Sequence, residues 1–154
     1  MGATAAGVVI KGNTFIVTGG ASGLGLAAAT RLAAEGGKVA LWDSNADAGD
    51  EAVKEIGADR AAFFEADVTS EESIKKALVA TAERFTSIRG VVNCAGVAAA
   101  ALTVGRKDKA PHDMEMYNRV ISINLSGTFN VCRLVRGART RGSLCCCFIA
   151  LTCV

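Results

Sequence analysis

Thr18-Gly19-Gly20-Ala21-Ser22-Gly23-Leu24-Gly25 follows an apolar run, Phe15-Ile16-Val17, and precedes a small-residue, helix-favouring run from Leu26 to Leu32. The order is strand, glycine turn, helix. Glycines belong where a backbone has to approach a phosphate with no Cβ in the way. The helix that follows turns its unpaired N–H groups and the positive end of its dipole toward an anion. The stretch predicts a phosphate-binding turn with an α/β frame built around it.

Outward from the turn, strands and helices alternate. Residues 14–18 form the first strand. Gly23 to about Glu35 forms the first helix, ended by Gly36-Gly37. Lys38-Val39-Ala40-Leu41-Trp42 is a second strand, closed by Asp43. Ser44 or Asn45 caps a second helix, with Ala52, Val53 and Ile56 on its inner face and Gly57 at its end. Ala61-Ala62-Phe63-Phe64-Glu65 is a third strand, ending near Asp67-Val68. Thr69 to Phe85 is a helix with a capping box of Thr69 and Glu72 and an inner face of Ile74, Ala77, Leu78, Thr81 and Phe85. Gly90-Val91-Val92-Asn93 is a fourth strand running into Cys94-Ala95-Gly96. A loop over 97–112 carries a basic tip of Arg106, Lys107 and Lys109. Met114 to about Val135 is a fourth helix, with Val120, Ile121, Asn124 and Thr128 on one side. Such alternation predicts crossover units and a doubly wound parallel sheet. The short, nearly all-apolar strands predict that both of its faces are covered.

With 154 residues, 51% of them apolar, the chain has the size and composition of one domain with its own core. Its net charge of +2 comes from interspersed acids and bases, which leaves no basic stripe and speaks against a nucleic-acid partner. No apolar run has the length of a membrane span. Met1-Gly2-Ala3-Thr4-Ala5-Ala6 lacks the features of a secretory signal, and the first arginine is Arg31. These features predict an intracellular protein, cytoplasmic or mitochondrial. Cys94 and Cys132 lie in apolar segments, while Cys145, Cys146, Cys147 and Cys153 crowd the end of the chain. Neither a disulfide framework nor a zinc site has that spacing, and His112 is the only histidine. Reduced thiols and no metal site are expected.

The glycine turn gains weight from an acidic residue at the end of the second strand. Asp43 lies past Gly25 near the usual offset of about 20 residues. A carboxylate there accepts hydrogen bonds from both ribose hydroxyls of adenosine and repels a 2′-phosphate. Asp43 therefore predicts NAD in preference to NADP. Its plain alternative is a solvated loop carboxylate or a helix cap.

Four motifs in order resemble the short-chain dehydrogenase/reductase family: Thr18-Gly19-xxx-Gly23-x-Gly25, Asp67-Val68, Asn93-Cys94-Ala95-Gly96 and Asn124-Leu125-Ser126-Gly127. The likeness runs over residues 14–135 and implies a Rossmann-type, three-layer α/β/α fold with strands 1 and 4 meeting at the switch point. It implies that Gly19, Ser22, Gly23, Leu24 and Gly25 hold the pyrophosphate of NAD. Asp67 would accept from the adenine amino group and the Val68 N–H would donate to a ring nitrogen. Asn93, Cys94, Ala95 and Gly96 would leave room for the ribose. Asn124 would be the family's catalytic-tetrad asparagine, holding a water that links the catalytic lysine to solvent. The alternative for Asn124 is a buried amide bonded to neighbouring backbone. Cys94 reads as a small buried residue with no nucleophilic role, and His112 as a loop residue near a helix start. The resemblance also implies hydride transfer between NAD and a secondary alcohol or ketone, a 3-hydroxyacyl-CoA or a steroid being the substrates of the most similar branch. A homo-oligomer, with the fourth helix in its interface, is implied as well.

The family's catalytic Ser and Tyr-xxx-Lys find no counterpart here. Tyr117 is the only tyrosine, and Ile121 stands where its lysine would be. Tyr117 is therefore expected to pack on the sheet. After Val135 the text changes to a basic stretch and then an apolar run, Leu144 to Leu151. The expectation is a Rossmann portion over 1–136 and a divergent tail over 137–154, from a truncated or frame-shifted dehydrogenase sequence. The incomplete sheet would have about four strands, with 144–151 as a fifth at the edge beside strand 4. Two readings stand: an NAD-dependent oxidoreductase, or a catalytically inactive nucleotide-binding fragment.

Overall fold

The apolar residues of each strand divide by parity, and that division sets the layers. In the computed structural model, which describes residues 9–107 and 109–137, there are four strands: β1 (Thr14–Thr18), β2 (Lys38–Asp43), β3 (Ala61–Glu65) and β4 (Ile88–Asn93). They form one parallel sheet in the order β3-β2-β1-β4. Ile16, Ala40, Trp42 and Val91 face one side of it, and Val17, Val39, Leu41 and Val92 the other.

Helices α1 (Gly23–Ala34) and α2 (Ala46–Ile56) cover the second face through Ala29, Ala33 and Ala52. On the first face lie α3 (Glu71–Arg84), through Ile74, Ala77 and Leu78, and α5 (Thr128–Gly137), through Val131 and Val135. Val131 and Val135 are fully buried, and each such side chain stabilises the fold by about 1.5–3 kcal/mol relative to exposure. One buried polar link crosses this face, from the Trp42 indole N–H to the Thr81 hydroxyl at 3.0 Å. The predicted three-layer α/β/α arrangement is the one observed. The predicted fifth strand, 144–151, lies outside the described residues.

Three local expectations are corrected. The cap of α3 is Ser70, whose hydroxyl accepts from the Ser73 N–H at 3.2 Å. The Thr69 hydroxyl instead donates to Asp67 Oδ1 at 2.7 Å, one residue before the cap. The helix starting at Met114 is not uniform. α4 (Met114–Ile121) widens into a π turn over Ser122–Gly127 before α5 continues. Tyr117 does not pack on the sheet: it is 51% exposed, because α4 rides over the rim of the fold and buries none of its residues.

An ion-pair cluster ties α3 to α5. Glu71 binds Lys75 at 2.6 Å and also binds Arg133. The Lys75 hydrogen bond, helped by Arg133, lowers the Glu71 pKa from 4.5 to about 2. A carboxylate depressed in the folded state stabilises above its unfolded pKa, and the contribution disappears as pH falls through the folded value. Glu71→Gln should therefore lower the thermal midpoint at pH 7 and narrow its gap to the unmodified chain as pH falls from 4.5 toward 2. Equal gaps at pH 7 and near pH 2.5, followed by circular dichroism, would contradict the assignment.

Candidate functional site

Parallel strands that diverge at the switch between β1 and β4 leave a crevice beyond their carboxyl ends. Here the crevice encloses about 450 Å³. Its floor depends on two glycines. Gly19 has φ +64°, and a Cβ on it would stand 2.7 Å from the Ala95 nitrogen. A Cβ on Gly25 would stand 1.9 Å from the Gly19 carbonyl oxygen. The turn thus folds back on itself and against the end of β4 with no space for a methyl group.

The start of α1 is left open to a ligand. Ser22 is its N-cap residue, yet the hydroxyl makes no capping bond, and the first turn carries no acidic side chain. Ser22, Gly23 and Leu24 are exposed. The first N–H groups of a helix have no intrahelical partner, so the turn presents donors and a positive dipole end to the crevice.

Asp43 ends β2 beside the turn. Its Oδ2 accepts from the Ala21 N–H at 3.2 Å and its Oδ1 from the Asn45 N–H at 3.1 Å. The cap of α2 is Asn45, whose side chain accepts from the Ala48 N–H at 3.1 Å. Asp43 is therefore not the cap; it is a carboxylate aimed by the glycine turn, with acceptor capacity left over. Asp67 is held similarly, its Oδ1 accepting from the Thr69 N–H at 2.8 Å.

Thr18 joins the two central strands. Its Oγ1 accepts from the N–H groups of Cys94 and Ala95 at 3.2 and 3.1 Å. Burial pushes the Cys94 thiol pKa up, which keeps it protonated and fits its reading as a small wall residue. Across the crevice, Asn124 is 7% exposed and grips the backbone of Val97 by both ends of its amide. Oδ1 accepts from the Val97 N–H and Nδ2 donates to the Val97 carbonyl, each at 2.9 Å. The π turn carries Asn124, and the Thr128 hydroxyl donates to its carbonyl at 2.7 Å. That is the buried-amide arrangement expected as the alternative.

Most of the predicted site residues come together. Gly19, Ser22, Gly23, Leu24, Gly25 and Asp43 line the crevice on one side. Asp67, Val68, Cys94, Ala95, Gly96 and Asn124 complete it. Asn93 is the exception. It is 3% exposed, does not line the crevice, and donates from Nδ2 to Cys132 Sγ at 3.4 Å. As the last residue of β4, it turns its side chain back under α5. Trp42, Ser44, Ala66, Val97, Ala98, Arg119 and Ile123 also line the crevice without having been predicted. Ile123 adjoins the predicted Asn124, and Arg119 lies one helical turn before Ile123, so both could have been found by extending the face that carries Asn124.

The family model described as short chain dehydrogenase matches residues 13–143. The chain is 45% identical over 128 residues to the 3-hydroxyacyl-CoA dehydrogenase type-2 of Bos taurus, covering 83% of this chain and 49% of that protein. Identity is also 45%, over 129 residues, to the protein of the same name in Drosophila melanogaster, covering 84% and 50%. The crystal structure of 3-hydroxyacyl-CoA dehydrogenase type-2 from Mycobacterium avium superposes with a TM-score of 0.74 at 38% identity, covering 82% of this chain and 48% of that one. The chain spans about half the length of the curated relatives it matches.

Replacing Asn124 with Ala strips two partners from the part-buried backbone of Val97. The expected cost is about 1–3 kcal/mol of stability, read from chemical denaturation. An unchanged midpoint would show that the clamp contributes nothing.

Proposed function

We propose, from the premise that this chain belongs to the short chain dehydrogenase family of oxidoreductases, that its crevice binds NAD in preference to NADP. The observation that carries the reading is Asp43, a carboxylate fixed by the Ala21 N–H at the mouth of the glycine turn. A ribose diol laid against it would donate twice; a 2′-phosphate there would meet a like charge. The Gly19–Gly25 contact supports the fit, since a backbone without Cβ atoms lets a diphosphate reach the first turn of α1. NAD supplies a hydride acceptor, and the reaction class is exchange of hydride with a secondary alcohol or ketone. A 3-hydroxyacyl-CoA is the substrate class we favour, after the names of the relatives; a steroid is the other substrate the sequence resemblance implies.

A second reading applies to these 154 residues taken alone: nucleotide binding without turnover. Tyr117, the one tyrosine, is half exposed on α4 with Ile121 where a lysine partner would stand. No Tyr-xxx-Lys pair is present to move the substrate proton. Residues 1–136 would then act as the binding portion, and Asn124 would position the crevice wall. Leu125 and Phe129, 65% and 67% exposed along the same helical run, fit the expected homo-oligomer. Among the described residues no helix is long and apolar enough to cross a membrane.

Asp43→Ala should weaken NAD binding about tenfold or more while relaxing discrimination against NADP, measured by calorimetry on the 154-residue chain. Equal NAD affinity in both proteins would overturn the assignment. An oxidation assay with a 3-hydroxyacyl-CoA, run on the same samples, separates the two readings: turnover favours the first and its absence the second.

A further inference from the structure

The charges around the crevice do not balance without one residue that no motif marks. Among its described lining residues, Asp43 and Asp67 are carboxylates and Arg119 is the single cation. Three cations on α3 and α5 are engaged: Lys76 with Glu72, and Lys75 and Arg133 with Glu71. The guanidinium of Arg119 has no ion-pair or hydrogen-bond partner among the described residues. It sits exposed on α4, one turn before Ile123, which lines the crevice from the same helical face.

A dinucleotide brings two phosphate charges into this space. The end of α1 offers roughly half a positive charge against them, and Asp43 and Asp67 oppose them. Ile123 and Val68 already provide apolar surface for a base, and Asp67 an acceptor for its edge. What the crevice otherwise lacks is a side-chain counter-charge for the diphosphate. A guanidinium supplies it with paired N–H donors matched to phosphate oxygens.

Resting on the reading of the crevice as a dinucleotide site, we infer that Arg119 is an affinity-determining residue, engaging the diphosphate from the wall opposite the glycine turn. Being exposed, it draws the anion in before contact. The interaction is with phosphate and not with the adenine ring, so adenosine does not use it.

The test is titration of the 154-residue chain and its Arg119→Ala, Arg119→Lys and Arg119→Glu variants with NAD, ADP and adenosine, followed by calorimetry. Circular dichroism and Trp42 emission report whether each variant is folded. Arg119→Ala should weaken NAD and ADP about three- to tenfold at low salt, a loss that shrinks at ~0.5 M salt. Arg119→Glu should weaken both further, Arg119→Lys should keep the charge but lose the paired donors and so fall between Arg119→Ala and the unmodified chain, and adenosine should bind all four proteins alike. Equal loss for adenosine, or unchanged NAD and ADP affinity in Arg119→Ala, overturns the proposal and leaves the crevice reading standing. So does unmodified protein that binds ADP no more tightly than adenosine. Unmodified protein that binds none of the three overturns both.

Discussion

The contact between Gly25 and the Gly19 carbonyl oxygen, too close for any Cβ, is the constraint on which this structure turns. It forces the chain leaving β1 to double back before α1 begins, and so sets the helix axis on the crevice. The turn is tied to the sheet from both sides. Gly20 donates to the Trp42 carbonyl at 3.3 Å, and Ala21 to Asp43. A side chain added at either glycine would open the turn, and the first N–H groups of α1 would lose their aim.

The rest of the site is a set of braces around that turn. Thr18 holds the end of β4 against the end of β1 through the Cys94 and Ala95 N–H groups. Asn124 then holds the chain beyond β4, at Val97, against the helical run opposite. That grip coincides with a π turn, a widening of the helix often found where function demands an odd side-chain direction. Gly127 lets the same run approach Val68, where a Cβ would come within 2.6 Å of a methyl. The floor, one wall and the rim of the crevice are thus fixed by hydrogen bonds that need no ligand.

Much of this was legible because it rests on period and on backbone chemistry. The short, nearly all-apolar strands predicted that both faces of the sheet are covered, as they are by α1 and α2 on one side and α3 and α5 on the other. Glycine spacing predicted the turn, and Asp43 was placed by its offset from Gly25 and its position at the end of the second strand. What escaped depends on relations between segments. The cap of α3 is Ser70 and not Thr69, whose hydroxyl pairs with Asp67, a choice between adjacent hydroxyls that propensity does not weigh. Asn93 was grouped with Cys94, Ala95 and Gly96 by the motif they share, but its side chain turns to Cys132. Tyr117 was expected on the sheet because Ile121 stands where a lysine partner would be, while α4 only skirts the rim. Arg119 belongs to no motif and enters the site solely through the way α4 crosses the crevice.

The central claim is that backbone N–H groups of the glycine turn, braced in place before any ligand arrives, receive a dinucleotide. Amide chemical shifts of the ¹⁵N-labelled chain, followed while NAD is added, test it most directly. The account predicts saturable shifts largest at Ser22, Gly23 and Leu24, with a second group at Ala95, Gly96 and Val97. Shifts that leave the turn unmoved, or that gather in the groove between α3 and α5, would contradict it.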